Sequence, residues 1–281
     1  MDMIDILIAV PQDNAQRYQE NLSHYENFNL QIVTDVQDAL DILDDRDLHS
    51  DVFVIDNRLG DVYTLVKELR NIYPRLLIII VDEEADFGMP GQADDMSTEP
   101  FDDDDLAKRI TRLISERRVE TLRSDSLPAV RAFAKQLRSA AGALGKLEAA
   151  VQACQESGYD YVAYYQLETT DPFKMILKAQ VGPAAIQSIA PKQAAPDDLM
   201  AWVAKSNLSR IAAPQDTPNH PLVARGRLGA VACVPVMFSG NTFGVLVACR
   251  DRPGSINQEN ILMLELIGAQ LAGAISKESM A

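Results

Sequence analysis

Asp56 closes an apolar run inside the segment DVFVIDNRLGD, residues 51–61. A carboxylate at the end of a buried central strand can accept a phosphoryl group. That chemistry brings two oxyanions together, so positive charge must be supplied, most simply by a Mg²⁺ ion bridging the carboxylate and the phosphoryl oxygens. Asp13 is the acid nearest the end of the first apolar run, and it could share such an ion with Asp56 only if its loop rearranges. Residues 82–105 hold eleven acidic side chains and no basic one, which works against an incoming phosphate.

Sulfur and imidazole offer less. Cys154, Cys233 and Cys249 form no CxxC pair, and there are only three histidines. A disulfide framework and a structural zinc site are therefore not expected, and the thiols read as small buried apolar groups.

The elements around Asp56 alternate. IDILIAV (4–10), LQIVTD (30–35), DVFVID (51–56) and RLLIIIVD (75–82) are apolar runs of strand length, and a fifth strand is expected near ADDMSTE. Helical periodicity separates them over 14–28, 36–47 and 62–74, and a helix over 102–118 follows. This pattern predicts an α/β parallel sheet with helices on both faces, and active groups in such sheets lie at the C-terminal strand ends. The stretch 81–95 combines Gly, Pro and like charges and is expected to be a mobile loop. FDDDDL sits at a helix start, where carboxylates favour the helix dipole; an acidic docking patch for a basic partner is the other reading.

The second half has α+β texture around an antiparallel sheet. GYDYVAYYQLE (158–168) and PFKMILKAQVG (172–182) read as a hairpin, and 197–207 as a helix. Two further strands over 229–251 join at Ser239-Gly240-Asn241. A long amphipathic helix follows over 257–278, with Asn257 as its cap. Between the halves, Asp125-Ser126 before Pro128 is a helix-start signature. Leu127, Val130, Ala134, Leu137, Ala141 and Leu144 follow at heptad spacing. That seam reads either as a dimerising signalling helix or as a helix packed on the second domain.

With VFVIDNRLGD and EPFDDDDL in place, residues 1–118 resemble the receiver domain of two-component response regulators, which implies a flavodoxin-like fold. The resemblance also implies three helpers for the phosphorylated aspartate, and the chain departs at each. Val10-Pro11 stands where the acidic metal-binding pair belongs. Glu99-Pro100-Phe101 stands where Lys-Pro-Phe is usual. Val81 or Asp82 replaces the hydroxyl residue. Exchanging an attractive unit charge for a repulsive one at 4 Å changes the interaction by about 8 kcal/mol before screening at an effective dielectric near 20. A degenerate receiver, or pseudo-receiver, used as a binding surface is expected, with Mg²⁺ only if the site is active. A response regulator phosphorylated on Asp56 is the competing reading.

Residues 140–278 resemble a GAF domain, on Gly229, Val234-Pro235, Gly240 and Gly244-Val245-Leu246, with LEAAVQACQESGYDYVAYYQLE as its first helix and strand. GAF domains sense small molecules such as cyclic nucleotides, bilins and haem. The loop 207–229 has no cysteine for a bilin, and no cyclic-nucleotide signature is recognisable. Should a pocket exist, Tyr164, the single tryptophan Trp202, His220, Arg225 and Arg227 are candidates to line it; His220 reads as a loop residue before an axial haem ligand.

Charge divides the chain. Residues 1–124 carry 28 acidic and 12 basic side chains and residues 125–281 carry 13 and 14, so the net −15 belongs to the first half. Nucleic acid is not an expected partner. No stretch is long and apolar enough to cross a membrane. MDMIDILIAV lacks a basic n-region and a cleavage site, so the cytoplasm is the expected compartment. The sequence thus predicts a pseudo-receiver over 1–118, a helical linker over 119–145 and a GAF domain over 146–281. The expected function is non-enzymatic signal transduction through protein contacts, as a homodimer, with a GAF-based small-ligand sensor as a further reading.

Overall fold

The computed structural model describes residues 3–45, 48–85, 90–124 and 128–279. The chain divides into two compact units, Met1–Arg70 with Leu76–Glu120, and Asn71–Arg75 with Thr121–Ala281.

The first unit runs β1 (Ile4–Ala9), α1 (Ala15–Leu22), β2 (Phe28–Val33), α2 (Val36–Asp44), β3 (Val52–Asp56), α3 (Val62–Ile72), β4 (Leu77–Val81), β5 (Asp95–Ser97) and α4 (Asp105–Ser124). Its five strands are parallel, in the order β2-β1-β3-β4-β5. Side chains alternate across the sheet. Ile6, Ile8, Val52, Val54, Ile79 and Val81 meet α1 and α4 through Tyr18, Leu22, Leu106 and Ile110. Leu7, Phe53, Ile55, Ile78 and Ile80 are fully buried on the opposite face. Burial on both faces explains why the central strands are uninterrupted apolar runs.

Two boundaries differ from the sequence reading. The helix expected to reach residue 28 ends at Leu22, because Phe28 pairs with Ile4 as the first rung of β2. A turn closed by the Tyr25 N–H on the Leu22 carbonyl lies between them. α4 continues past residue 118 to Ser124, so the expected domain edge falls inside a helix. Among the described residues between β4 and β5 there is no helix; residues 86–89 of the expected loop lie outside the described residues.

The second unit contains α5 (Pro128–Ser139), α6 (Gly142–Glu156), β6 (Tyr161–Thr170), β7 (Phe173–Val181), α7 (Ala184–Ile189), α8 (Leu199–Ser206), β8 (Arg210–Ala212), α9 (Pro221–Gly226), β9 (Ala230–Phe238), β10 (Asn241–Arg250) and α10 (Gln258–Ser279). Its antiparallel sheet has the order β7-β6-β10-β9-β8. One face carries Val162, Tyr164, Ala232, Val234, Leu246 and Ala248, packed under α5, α6 and α10. α8 lies against β9 and β10 with residues outside that cluster, so it covers the other face.

Local chemistry explains several joints. The β9–β10 hairpin turns on Ser239 and Gly240, both left-handed (φ 51° and 77°), as a two-residue turn matched to strand twist requires. Asn241 is already the first residue of β10. Gly244 has no room for a side chain: a Cβ there would sit 2.1 Å from the Tyr165 carbonyl oxygen. Asn257 caps α10 as expected, its side chain accepting the Asn260 N–H at 3.0 Å.

The heptad seam is not one helix. α5 stops at Ser139, Ala141 is extended, and Gly142 takes φ +67° to start α6. Leu144 is exposed, while Val130, Phe133 and Leu137 form the buried stripe of α5. Phe133 and Leu137 join the core beneath α6 and α10. Asp125, Ser126 and Leu127 lie outside the described residues.

Candidate functional site

Asp56 is the last residue of β3 and is 2% exposed. The chain turns immediately afterwards, and the Asp56 carboxylate caps the turn Asn57–Leu59 by accepting the Arg58 N–H at 3.0 Å. The same turn swings the Arg58 side chain back over the carboxylate. Its Nε donates to Oδ1 at 3.2 Å and a terminal nitrogen donates to Oδ2 at 3.1 Å. The other terminal nitrogen lies 3.6 Å from the exposed Asp13 carboxylate. One guanidinium therefore spans the two acids that could have shared a metal ion. Its hydrogen bond to Asp56 holds the Arg58 cation above its ordinary pKa, against the opposing effect of burial.

Other groups of the strand-end surface are paired as well. Asp82, in the place of the hydroxyl residue, accepts the Asn57 side-chain amide at 3.0 Å. Arg17 pairs with Glu83 at 3.4 Å and lies 3.8 Å over the Phe101 ring. Tyr18 packs edge-on against the same ring, and burial, with the Asp56 charge nearby, drives its hydroxyl pKa upward. Of the acidic run, Asp105 binds Arg109 and Asp103 binds Lys108 on α4, while Asp95 of β5 binds Arg109 and Arg112.

These residues do not fit a Mg²⁺ site. Both Asp56 oxygens already face Arg58, no acid follows β1 directly, and Asp13 is engaged with the same guanidinium. An anion entering here would meet one cation already shared by two carboxylates. Residue spacing could have revealed Arg58. An arginine two residues beyond an aspartate, across a tight strand-end turn, can fold back onto that aspartate.

The second set of expected site residues is not brought together. Tyr164 points into the core under α6 and α10, and its hydroxyl donates to the Phe243 carbonyl at 3.0 Å. Trp202 is buried on α8, across the sheet, with the Arg210 guanidinium 4.9 Å from its ring. A pocket lined by both is corrected by strand alternation, which sends Tyr164 to the wrong face. Tyr165 is the neighbour on the α8 side, 6.3 Å from the His220 ring.

His220 is neither rim nor loop surface. It is 1% exposed and caps α9, its Nδ1 accepting the Leu222 N–H at 3.1 Å. Nδ1 as acceptor places the proton on Nε2, which has no hydrogen-bond partner among the described residues. Burial pushes the imidazole pKa down to about 3. Arg225 and Arg227 are exposed, on α9 and at its left-handed end (φ 55°). Asp198, absent from the sequence-derived set, is buried and caps α8 through the Ala201 N–H; burial raises its carboxyl to about 6, against those backbone hydrogen bonds. The three thiols are buried and free, with pKa values raised by desolvation.

Comparison with known proteins fits the second unit. The GAF domain family model matches residues 147–276, and this part of the chain is a GAF domain. Such domains form a family of signalling and sensor modules. Among solved structures, the chain is similar to a GAF domain of a phosphoenolpyruvate-protein phosphotransferase from Coxiella burnetii. The identity is 15%, with 54% of this chain and 93% of that one covered and a TM-score of 0.47. It is also similar to the free methionine-R-sulfoxide reductase of Neisseria meningitidis, at 15% identity, 53% and 86% coverage and a TM-score of 0.46. A third relative is the chromophore-binding domain of a bacteriophytochrome from R. palustris, at 14% identity, 54% and 62% coverage and a TM-score of 0.44. No curated protein matches the chain. No helix among the described residues is long and apolar enough to cross a membrane.

Proposed function

We propose that this chain is a non-enzymatic regulator of two-component-type signalling, in which a pseudo-receiver domain is coupled to the GAF domain. The strand order β2-β1-β3-β4-β5 supports the flavodoxin-like receiver reading of the first unit. The observation that carries the proposal is the bidentate Arg58–Asp56 pair with Asp13 on its third edge. A tethered guanidinium supplies the charge that a receiver takes from a metal ion, and it does so permanently. The unit then has one ionic state where a phosphorylated receiver has two. It works through protein contacts in the cytoplasm, as a homodimer, with a protein partner or a GAF ligand setting the state.

A Mg²⁺ titration followed by amide NMR tests the reading. The wild-type chain is expected to show no saturable shift at residues 10–13 and 55–58 at millimolar ion, and Arg58→Ala to show one. Saturable binding at Asp56 in the wild type would overturn it.

A further inference from the structure

We propose that Asp5, His49 and Asp51 form a binding site for a divalent transition-metal ion of the Zn²⁺ class. It lies at the end of the parallel sheet opposite Asp56 and is independent of the Asp56 reading. The topology assembles it. Asp5 is the second residue of β1, and Asp51 immediately precedes β3. The Asp51 N–H donates to the Asp5 carbonyl at 2.8 Å, and the Asp5 N–H donates back to Asp51 Oδ2 at 3.0 Å. On its other side Asp5 pairs with Asn29 of β2, whose side-chain amide donates to Asp5 Oδ1 at 2.7 Å. His49 stands two residues before Asp51, the spacing that returns a side chain to the same face of an extended segment. Its Nε2 is 3.1 Å from Asp51 Oδ1.

One ligand atom from each of the three residues lies within 4.8 Å of the other two. Two ligands about 2.1 Å from one tetrahedral ion stand about 3.4 Å apart, so the His49–Asp51 spacing is already close to coordination geometry. The set joins an imidazole nitrogen to two carboxylate oxygens. That mixture suits zinc and its neighbours better than the all-oxygen shells of Mg²⁺ and Ca²⁺. Each carboxylate has one oxygen fixed by an N–H donor, from Asn29 for Asp5 and from the backbone for Asp51. Such outer partners orient metal ligands and leave the second oxygen for the ion. Asp51 is ionised at neutral pH. Against burial, which raises its pKa, hydrogen bonds from His49 and the Asp5 N–H hold it below the ordinary carboxylate range, and the His49 and Arg117 charges add to them. Two carboxylates outweigh the Arg117 charge. His49 is exposed, which gives an ion its entry path and leaves room for water as a further ligand.

Calorimetric titration of the full chain with Zn²⁺, in excess Mg²⁺ to occupy weak acidic surface sites, tests this. One equivalent is expected to bind. The chain has three histidines, and the imidazole NMR signals of one of them should shift with that equivalent. They should be the signals missing from His49→Ala. His49→Ala and Asp5→Asn should each weaken binding by more than about tenfold, and Asn29→Ala, which removes an outer partner, by about tenfold. Affinity unchanged in His49→Ala, or no Zn²⁺ binding at all, would overturn the proposal. So would several weak equivalents displaced by Mg²⁺, which would mean an adventitious ion only. His49 is exposed, so its removal should leave the circular dichroism unchanged. That variant decides the matter if Asp5→Asn fails to fold.

Discussion

The strand-end surface of the first unit and the α8–α9 face of the GAF sheet handle ionisable groups in opposite ways. At the strand ends, Asp13, Asp56, Asp82 and Glu83 each have a cation or an amide donor within reach, and most of these pairs touch solvent. Beneath α8 and α9, Asp198 and His220 are buried with backbone hydrogen bonds and no ion pair among the described residues, and their protonation equilibria are displaced instead. Pairing removes a site's capacity to bind; burial without pairing makes it respond to pH. The difference teaches that an acidic cluster can be internally paired while buried groups in the less charged half carry the displaced protonation equilibria.

His220 should give the largest effect. Its folded pKa, about 3, lies below the ordinary 6.5. The unfolded chain therefore takes up the proton first, and stability is full above 6.5 and falls as pH drops toward 3. His220→Asn keeps an acceptor for the Leu222 N–H but cannot titrate. Urea unfolding should show the wild type losing about 3 kcal/mol relative to this variant between pH 7 and pH 4. Equal pH slopes would mean the imidazole is not held neutral.

Asp198 should act with the opposite sign. Its folded pKa, about 6, lies above the ordinary 3.8. The folded state then binds the proton more tightly, so this group's contribution rises as pH falls from about 6 to 4. Against Asp198→Asn, which keeps the α8 cap, the wild type should gain about 2 kcal/mol over that interval. In the wild type the two residues oppose one another, so only the single variants reveal either slope.

The paired region should respond to mutation rather than to pH near neutrality. Arg58→Ala leaves a carboxylate that is 2% exposed without its cation and should cost about 2 kcal/mol, measured by urea unfolding at pH 7. Arg17→Ala is the control for an exposed pair. It loses the Glu83 contact and the stacking on Phe101 and should cost under about 1 kcal/mol. If the two arginines cost the same, the contrast between a buried and a rim pair fails.

Much of this was legible in the sequence. Uninterrupted apolar runs mark strands buried on both faces, and the glycines around 229–244 mark a hairpin and a close backbone approach at Gly244. Side-chain direction was not legible. Tyr164 and Tyr165 are adjacent, and the register of β6 against β7 shifts between them. A one-residue difference exchanges core for the opposite face. Gly142 beside the seam already weakened the reading of one continuous helix, but heptad spacing does not say that this glycine is left-handed and starts a new helix. Arg58 was visible but unread, since its role comes from the turn that folds it back.

The most direct test returns to Asp56. Wild-type protein is incubated with Mg²⁺ and acetyl phosphate and followed by intact mass, with Asp56→Asn as control and an ordinary receiver labelled in parallel. The Arg58 clamp predicts no added phosphoryl mass on the wild type. A phosphoryl mass that disappears in Asp56→Asn would contradict it and make this chain a phosphorylated response regulator.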